Sequence, residues 1–160
     1  MTGGGLWQAS CVAIGGRGLL IEGPPGSGKS SLALALIDRG ASLVGDDGVR
    51  LTLADDGRLW AHPPAATAGL LEVRNVGLVT LPVAPACIAL VLRLDPGASR
   101  YIEQAEQVAR RGAGLPQIRL WPDTPVLALR AEWALRQYGL PASQAAAGGA
   151  RAVDDGNRLA

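Results

Sequence analysis

The sequence predicts a single sheet-rich α/β domain organised around one anion-binding loop, and three observations predict it. First, Gly23-Pro24-Pro25-Gly26-Ser27-Gly28-Lys29-Ser30 fits the pattern G-x-x-x-x-G-K-S/T. A strand-like run (Gly18–Glu22) precedes it and a helix-like run (Ser31–Ile37) follows it. Second, much of the remaining chain consists of short apolar or alternating segments between glycine, proline and aspartate turns, the pattern of strands and hairpins. Third, only three segments carry helical spacing, and a regular doubly wound sheet would need more crossover helices. At 160 residues, 48% of them apolar and 18% charged, one domain with a real core is expected.

The elements follow in order. Met1 to Gly5 is expected to be a loose terminus. Ser10 to Ile14 predicts a strand, and Gly15 to Gly18 a hairpin turn into the strand before the loop. The helix after the loop should stop at Arg39-Gly40, with arginine in its last turn and glycine just past it. Ala41 to Val44 is a short strand ending at Gly45-Asp46-Asp47. Val49–Leu53 and Arg58–Ala61 form a hairpin around Asp55-Asp56-Gly57, and Pro63-Pro64 to Gly69 is a loop that holds, with its approach, the single histidine, His62. Leu71–Val73 and Leu78–Leu81 are short strands. Ile88 to Leu94 is nearly continuous in apolar residues, as in a strand covered on both faces. Ser99 to Arg111 has helical spacing, with Ile102, Ala105 and Val108-Ala109 on one side and Glu103, Glu106, Gln107 and Arg110 largely on the other. Pro116–Leu120 is one more strand, and Pro125–Tyr138 a helix that opens on proline. The folded domain is expected over residues 6–140, with a disordered Ala-, Gly- and Gln-rich tail over 141–160.

Bulk properties narrow the function. A net charge of +1, with Arg110-Arg111 as the only basic pair, argues against nucleic-acid binding by bulk electrostatics. Cys11 and Cys87 lie in apolar runs and read as small core residues; no Cys/His spacing suits zinc. No run reaches membrane-spanning length and no basic-then-apolar leader opens the sequence, so a soluble, cytoplasmic protein is expected.

Lys29 is the only lysine, against fourteen arginines. It stands where a compact ammonium could reach phosphate oxygens that a planar guanidinium fork would not fit. The glycines let backbone N–H groups converge on an anion, the following helix adds its positive dipole end, and Ser30 can offer a hydroxyl to Mg²⁺. Asp46-Asp47 follows the next strand and falls at the C-terminal sheet edge, where open α/β sheets bind ligands; a solvated turn is the alternative. Glu72-Val73-Arg74-Asn75-Val76-Gly77 places opposite charges near another strand end, with an exposed strand ion pair as its alternative.

Gly23–Ser30, the helix stop at Arg39-Gly40, Leu43-Val44-Gly45-Asp46-Asp47-Gly48-Val49 and Glu72-Val73-Arg74 together resemble the C-terminal catalytic domain of HPr kinase/phosphorylase, in the short form without the N-terminal domain. The resemblance is good from about Gln8 to Leu81 and collinear to Tyr138. It implies a fold similar to phosphoenolpyruvate carboxykinase, an ATP- and Mg²⁺-dependent serine kinase, an HPr-type phosphocarrier as substrate and a hexameric assembly. It further implies that Gly23, Pro24, Pro25, Gly26, Ser27, Gly28, Lys29, Ser30 and Ser31 hold the nucleotide phosphates. Ser30 and Glu72 would bind Mg²⁺ with help from Asp47, and Asp46 would act as the base at the target serine, alongside Lys29. Three positions depart from the family pattern: Gln8 stands where the family has its catalytic histidine, Ser31 where an acid follows the loop serine, and Asn75 where a glycine follows the arginine. The stretch from Leu81 to Ile88 is also shorter than the family's glycine-rich loop. These departures weaken the expectation of the reverse, phosphorylase reaction. They also keep open a nucleotide-binding module with little turnover, or a kinase of this fold with another protein or small-molecule acceptor.

Overall fold

A computed structural model describes residues 5–142 of the chain. The main sheet contains β1 (Leu6–Trp7), β2 (Ser10–Ile14), β3 (Arg17–Glu22), β4 (Ser42–Gly45), β5 (Val49–Leu53), β6 (Leu59–His62), β9 (Ala86–Leu94), β10 (Glu106–Arg110) and β11 (Ala113–Leu120). A separate hairpin pairs β7 (Leu70–Val73) with β8 (Gly77–Thr80). The two helices among the described residues are α1 (Lys29–Asp38) and α2 (Leu127–Tyr138).

The sheet is built around β3 and β9. They run parallel, with Leu20 opposite Val91 and Ile21 opposite Leu92. β6 pairs antiparallel with the start of β9, and β11 pairs parallel with its end. β2 and β4 continue the sheet beyond β3, and β5 and β1 continue it beyond β6. The apolar run of β9 has the reason expected of it, since both faces are covered. Leu19, Ile21, Leu90, Leu92 and Leu94 pack under α1 and α2, against Leu32, Leu36, Leu127 and Leu135. Leu20, Ile88 and Val91 face the opposite core with Val49, Leu51, Leu59 and Leu115. Strict alternation would put Ile88, Leu90 and Leu92 on one face. A bulge shifts the register between Gly18 opposite Ile88 and Leu19 opposite Leu90, so Ala89 is the extra residue and the phase resets. Gly18 faces this bulge with an open Cα; a Cβ there would meet Ile88 Cδ1 at 3.0 Å and the Cys87 carbonyl at 3.1 Å.

Helix α1 ends as its sequence requires. Gly40 takes φ 111°, its N–H donates to the Ile37 carbonyl, and the Ala41 N–H donates to the Leu36 carbonyl. This six-to-one and five-to-two pairing satisfies the last carbonyls of the helix.

One expected element is corrected. Ser99–Arg111 is not a helix: residues 99–105 form no regular element, and Glu106–Arg110 is the strand β10, antiparallel to β11 with Glu106 opposite Gln117 and Arg110 opposite Ala113. Arg111 and Gly112 form the two-residue turn, at φ 50° and 88°. Two successive positive φ values match the right-handed twist of a hairpin, and glycine in the second place lowers the strain. The helical spacing was coincidental. Ile102 and Tyr101 remain exposed, while Val108 and Arg110 alternate inward. A second, smaller correction concerns His62. It closes β6 rather than lying in the proline loop, and its Nε2 sits 2.8 Å from the Thr52 hydroxyl. β1 was not foreseen, and it places Trp7 beside the loop strand. Cys11 is buried and Cys87 half-buried, both as free thiols, and burial pushes both thiols above their ordinary pKa. The expected terminus over Met1–Gly4 and the expected tail from residue 143 onward lie outside the described residues. Among the described residues, no helix is long and apolar enough to cross a membrane.

Candidate active site

Strand β3 delivers the loop from the centre of the sheet, and its geometry depends on glycine. A Cβ on Gly23 would lie 2.6 Å from the Ser27 hydroxyl and 3.3 Å from Leu94 Cβ, so only a bare Cα lets the loop fold against the strand end. Gly26 and Gly28 take φ 78° and 102°, which L side chains rarely adopt. Gly28 is also the N-cap of α1 and gives it no side-chain cap; the first bond into the helix is Leu32 N–H to the Gly28 carbonyl. Among the described residues, the N–H groups of Lys29, Ser30 and Ser31 have no acceptor, so the first turn of the helix presents open donors and its positive dipole end. Lys29 folds its ammonium across the loop, donating to the Gly23 carbonyl at 3.0 Å and the Pro24 carbonyl at 3.2 Å. Among the described residues, the buried Ser27 hydroxyl has no partner. Open N–H groups, an ammonium and a bare loop fit an anion, and they fit phosphate in particular.

Facing the loop, β4 must end at Gly45, where a Cβ would meet the Gly48 carbonyl at 2.6 Å and Val49 Cγ1 at 2.7 Å. This sharp turn carries the paired aspartates. Asp46 Oδ1 accepts the Ser30 hydroxyl at 2.7 Å and the Ser10 hydroxyl at 2.9 Å. Ser10 is fully buried and also accepts the Asp47 N–H at 3.4 Å. Asp47 takes φ 61°, is exposed, and among the described residues its carboxylate has no hydrogen-bonding or ionic partner. A cleft of about 380 Å³ brings these groups together. Gly26, Gly28, Lys29, Ser30 and Ser31 line one wall and Asp46 and Asp47 another. The strand β7 supplies Glu72 and Val73, and the turn that follows it supplies Arg74. Of the residues expected from the sequence, Pro25, Gly26, Gly28, Lys29, Ser30, Ser31, Asp46, Asp47 and Glu72 share this cleft, whereas Gly23, Pro24 and Ser27 do not line it. Asn75 turns the β7–β8 hairpin at φ 69°, the conformation its glycine counterpart would supply. Gln8 stands apart: it is exposed between β1 and β2 and does not line the cleft.

Two features of the site were missed from the sequence. One is Ser10, the buried hydroxyl behind both aspartates; its signal was a serine in phase with the buried Val12 on β2. The other is Glu22, the residue just before the loop, which is 5% exposed. Arg110 grips it at both oxygens, Nε to Oε2 at 2.9 Å and Nη2 to Oε1 at 2.7 Å, and the Trp7 indole N–H donates to Oε2 at 2.9 Å. Arg93 lies 3.8 Å from Oε1. Hydrogen bonding to Glu22 raises the pKa of Arg110 above its ordinary value. The guanidinium groups of Arg110 and Arg111 lie 5.8 and 5.5 Å from the Trp7 ring centroid. The misread strand β10 therefore anchors the strand that carries the loop.

Comparison with known proteins agrees with this geometry. Residues 5–84, half of the chain, match the family described as HPr Serine kinase C-terminal domain. The chain belongs to this family. The HPr kinase/phosphorylase of Streptococcus thermophilus is 37% identical over 122 residues, covering 68% of this chain and 40% of that protein. The HPr kinase/phosphorylase of Bordetella pertussis is 48% identical over 66 residues, covering 41% of this chain and 21% of that protein. The chain thus aligns with two fifths or less of the length of these relatives. The solved structure of the Hpr(Ser) kinase/phosphatase from Coxiella burnetii superposes with a TM-score of 0.73 at 28% identity, over 83% of this chain and 89% of that one. The sheet-rich α/β fold of this chain is therefore similar to that of the Hpr(Ser) kinase/phosphatase. The connection from β8 to β9 is short, running only from residue 81 to 85, with Val83 bridged to Leu43.

Proposed function

We propose that this domain is an ATP-dependent serine kinase that phosphorylates an HPr-type phosphocarrier protein. One observation carries the reading above the others: the Ser30 hydroxyl, at the helix end of the loop, is bonded to Asp46 inside the cleft that also holds Lys29, Asp47 and Glu72. Phosphoryl transfer asks a protein for alignment, neutralisation of phosphate charge and a base at the attacking hydroxyl. The loop amides and Lys29 supply the first two for the phosphates. Releasing the ammonium from the Gly23 and Pro24 carbonyls is the one rearrangement Lys29 needs. Ser30 and Glu72 are the hard oxygen donors that would hold Mg²⁺, and the ion would supply neutralisation of phosphate charge.

We divide the roles of the two aspartates differently from the expectation raised by the resemblance, and their hydrogen bonding supports this division. Asp46 has one oxygen committed to two hydroxyl donors, Ser10 and Ser30, which ties it to the helix end of the loop. That suits Asp46 to the metal side of the site. Asp47 is exposed to the cleft with no competing donor on its carboxylate, and it is the better-placed acceptor for the proton of an incoming serine. Buried Ser10 donates to the Asp46 carboxylate and accepts from the Asp47 backbone N–H, so it ties the Asp46 side chain to the turn that carries Asp47. The test is incubation of the purified protein with labelled ATP, Mg²⁺ and an HPr protein, with the modified residue located by mass spectrometry. Transfer to a serine of HPr is expected. Nucleotide binding without transfer to HPr would refute the assignment.

A further inference from the structure

At the far end of the sheet from the loop, a small cavity of about 240 Å³ opens between the β2–β3 turn, the β5–β6 hairpin and the segment that follows α2. Arg17 opens β3 and Glu22 closes it, so the cavity lies roughly 17 Å along the strand from the loop. It shares no residue with the cleft that holds Lys29 and Asp46. Leu59, Ile88 and Leu115 form its floor, each no more than 2% exposed. Arg17 and Arg58, only partly buried, stand at its rim, and half-buried Cys87 also lines it. The Leu140 N–H donates to the Ala89 carbonyl at 2.9 Å, which fixes the wall formed by residues 140–142. Among the described residues, no carboxylate lines the cavity.

The charges distinguish this cavity from a packing gap. Arg17 is partly withdrawn from water, and burial lowers its pKa below the ordinary value. A guanidinium carries five N–H donors, and one of those on Arg17 goes to the Leu140 carbonyl at 3.2 Å. Among the described residues, no carboxylate pairs with Arg17. Arg58 has Asp56 Oδ2 at 3.7 Å, but that carboxylate is 54% exposed and lies outside the cavity. A cation such as Arg17, partly removed from water without a counter-charge, is unfavourable, and an anion seated beside it offsets that cost. We propose that the cavity is a second binding site, for a short aliphatic carboxylate. Its charged end meets Arg17 and Arg58, whose planar forks match a carboxylate, and its carbon chain rests on Leu59, Ile88 and Leu115. The small volume suits a chain of a few carbons and leaves no room for a nucleotide. This inference stands independently of the kinase reading.

Cys87 supplies the reporter, because Cys11 is fully buried and leaves Cys87 as the accessible thiol. Alkylation of Cys87 by N-ethylmaleimide is followed by intact mass, with added 4-methylpentanoate or its uncharged counterpart 4-methylpentanamide. The carboxylate should slow alkylation at roughly tenfold lower concentration than the amide, the effect of one charge-assisted contact. Arg17→Gln should bring the carboxylate down to the level of the amide and leave protection by the amide unchanged. Arg17 also holds the Leu140 carbonyl, so Arg58→Gln serves in the same way if the first variant folds poorly. Equal protection by the two compounds in the wild type, or none by the carboxylate, would overturn the proposal. So would undiminished protection in both arginine variants. Protection by inorganic phosphate that matches the carboxylate would also overturn it, since the apolar floor would then have no role.

Discussion

The bond between Glu22 and Arg110 offers the sharpest test of how this fold holds its loop. Glu22 and Arg110 have side chains only 6% and 16% exposed, and the pair is bidentate with a third donor from Trp7. Removing one partner from a buried pair leaves an uncompensated charge and costs about 3–5 kcal/mol. Glu22→Gln puts an amide against the guanidinium and should fall in that range. Arg110→Met should fall at its lower end, because Arg93 at 3.8 Å still offsets part of the Glu22 charge. For a chain of this size each kcal/mol lowers Tm by about 2–4 °C, so a drop of roughly 6–20 °C is expected for Glu22→Gln. Replacing both partners with apolar groups, Glu22→Leu with Arg110→Met, should cost far less than the sum of the corresponding single changes, because no charge is left unpaired. Urea unfolding of these four variants and the wild type, followed by far-UV circular dichroism, measures the cycle. ATP affinity should fall with each single change, since Glu22 is the residue before Gly23. Single costs below about 1 kcal/mol, or costs that add within about 0.5 kcal/mol, would show that the clamp is incidental.

Four further outcomes are expected. Lys29→Ala should weaken ATP·Mg²⁺ binding by about 1.5–3 kcal/mol, ten- to more than a hundredfold, without lowering stability; unchanged affinity by titration would refute the phosphate-loop reading. Asp47→Asn should keep ATP affinity and lose about 10²–10⁴ in transfer rate to HPr, whereas Asp46→Asn and Ser10→Ala should disturb the Mg²⁺ dependence of binding as well; wild-type transfer by Asp47→Asn would return the role of base to Asp46. Dephosphorylation of serine-phosphorylated HPr by inorganic phosphate, followed as pyrophosphate release, should be weak, because glutamine cannot shuttle a proton near neutral pH and exposed Gln8 lies outside the cleft; a fast reverse reaction would refute this. Burial, and then Arg50, lower the pKa of His62 below the ordinary 6.5, so the unfolded chain takes the proton first. Its contribution to stability is therefore present above pH 6.5 and lost as pH falls through that value toward the folded pKa, and His62→Gln should show a shallower loss between pH 7.5 and 5.

The parts of the site that a local pattern encodes were legible in the sequence. Glycine at 23, 26 and 28 is required by backbone conformation and close approach, and these requirements act within a few residues. The same holds for the helix stop at Gly40, the buried strand at Ile88–Leu94 and the turn at Asn75. Lys29 as the single lysine, the Asp46-Asp47 pair and Glu72 were each visible as residues. Their meeting in one cleft is a property of the sheet: β4 must lie beside β2, and the β7–β8 hairpin must stand against the loop, before those side chains share a space.

What the sequence by itself determined is therefore the chemistry available and the local shapes that carry it. Tertiary structure decided what that chemistry touches. Ser99–Arg111 shows the difference most plainly, since its spacing satisfied a helix while its partners lay in β11 and at Glu22. Pairing with β11 satisfies the backbone, and the buried carboxylate takes Arg110, so long-range contacts outweigh a weak local preference. The split between Asp46 and Asp47 was likewise beyond the sequence, where the two are equivalent neighbours. Only the packing of β2 against β4 brings the Ser10 hydroxyl to the Asp46 carboxylate and leaves that of Asp47 without a partner among the described residues.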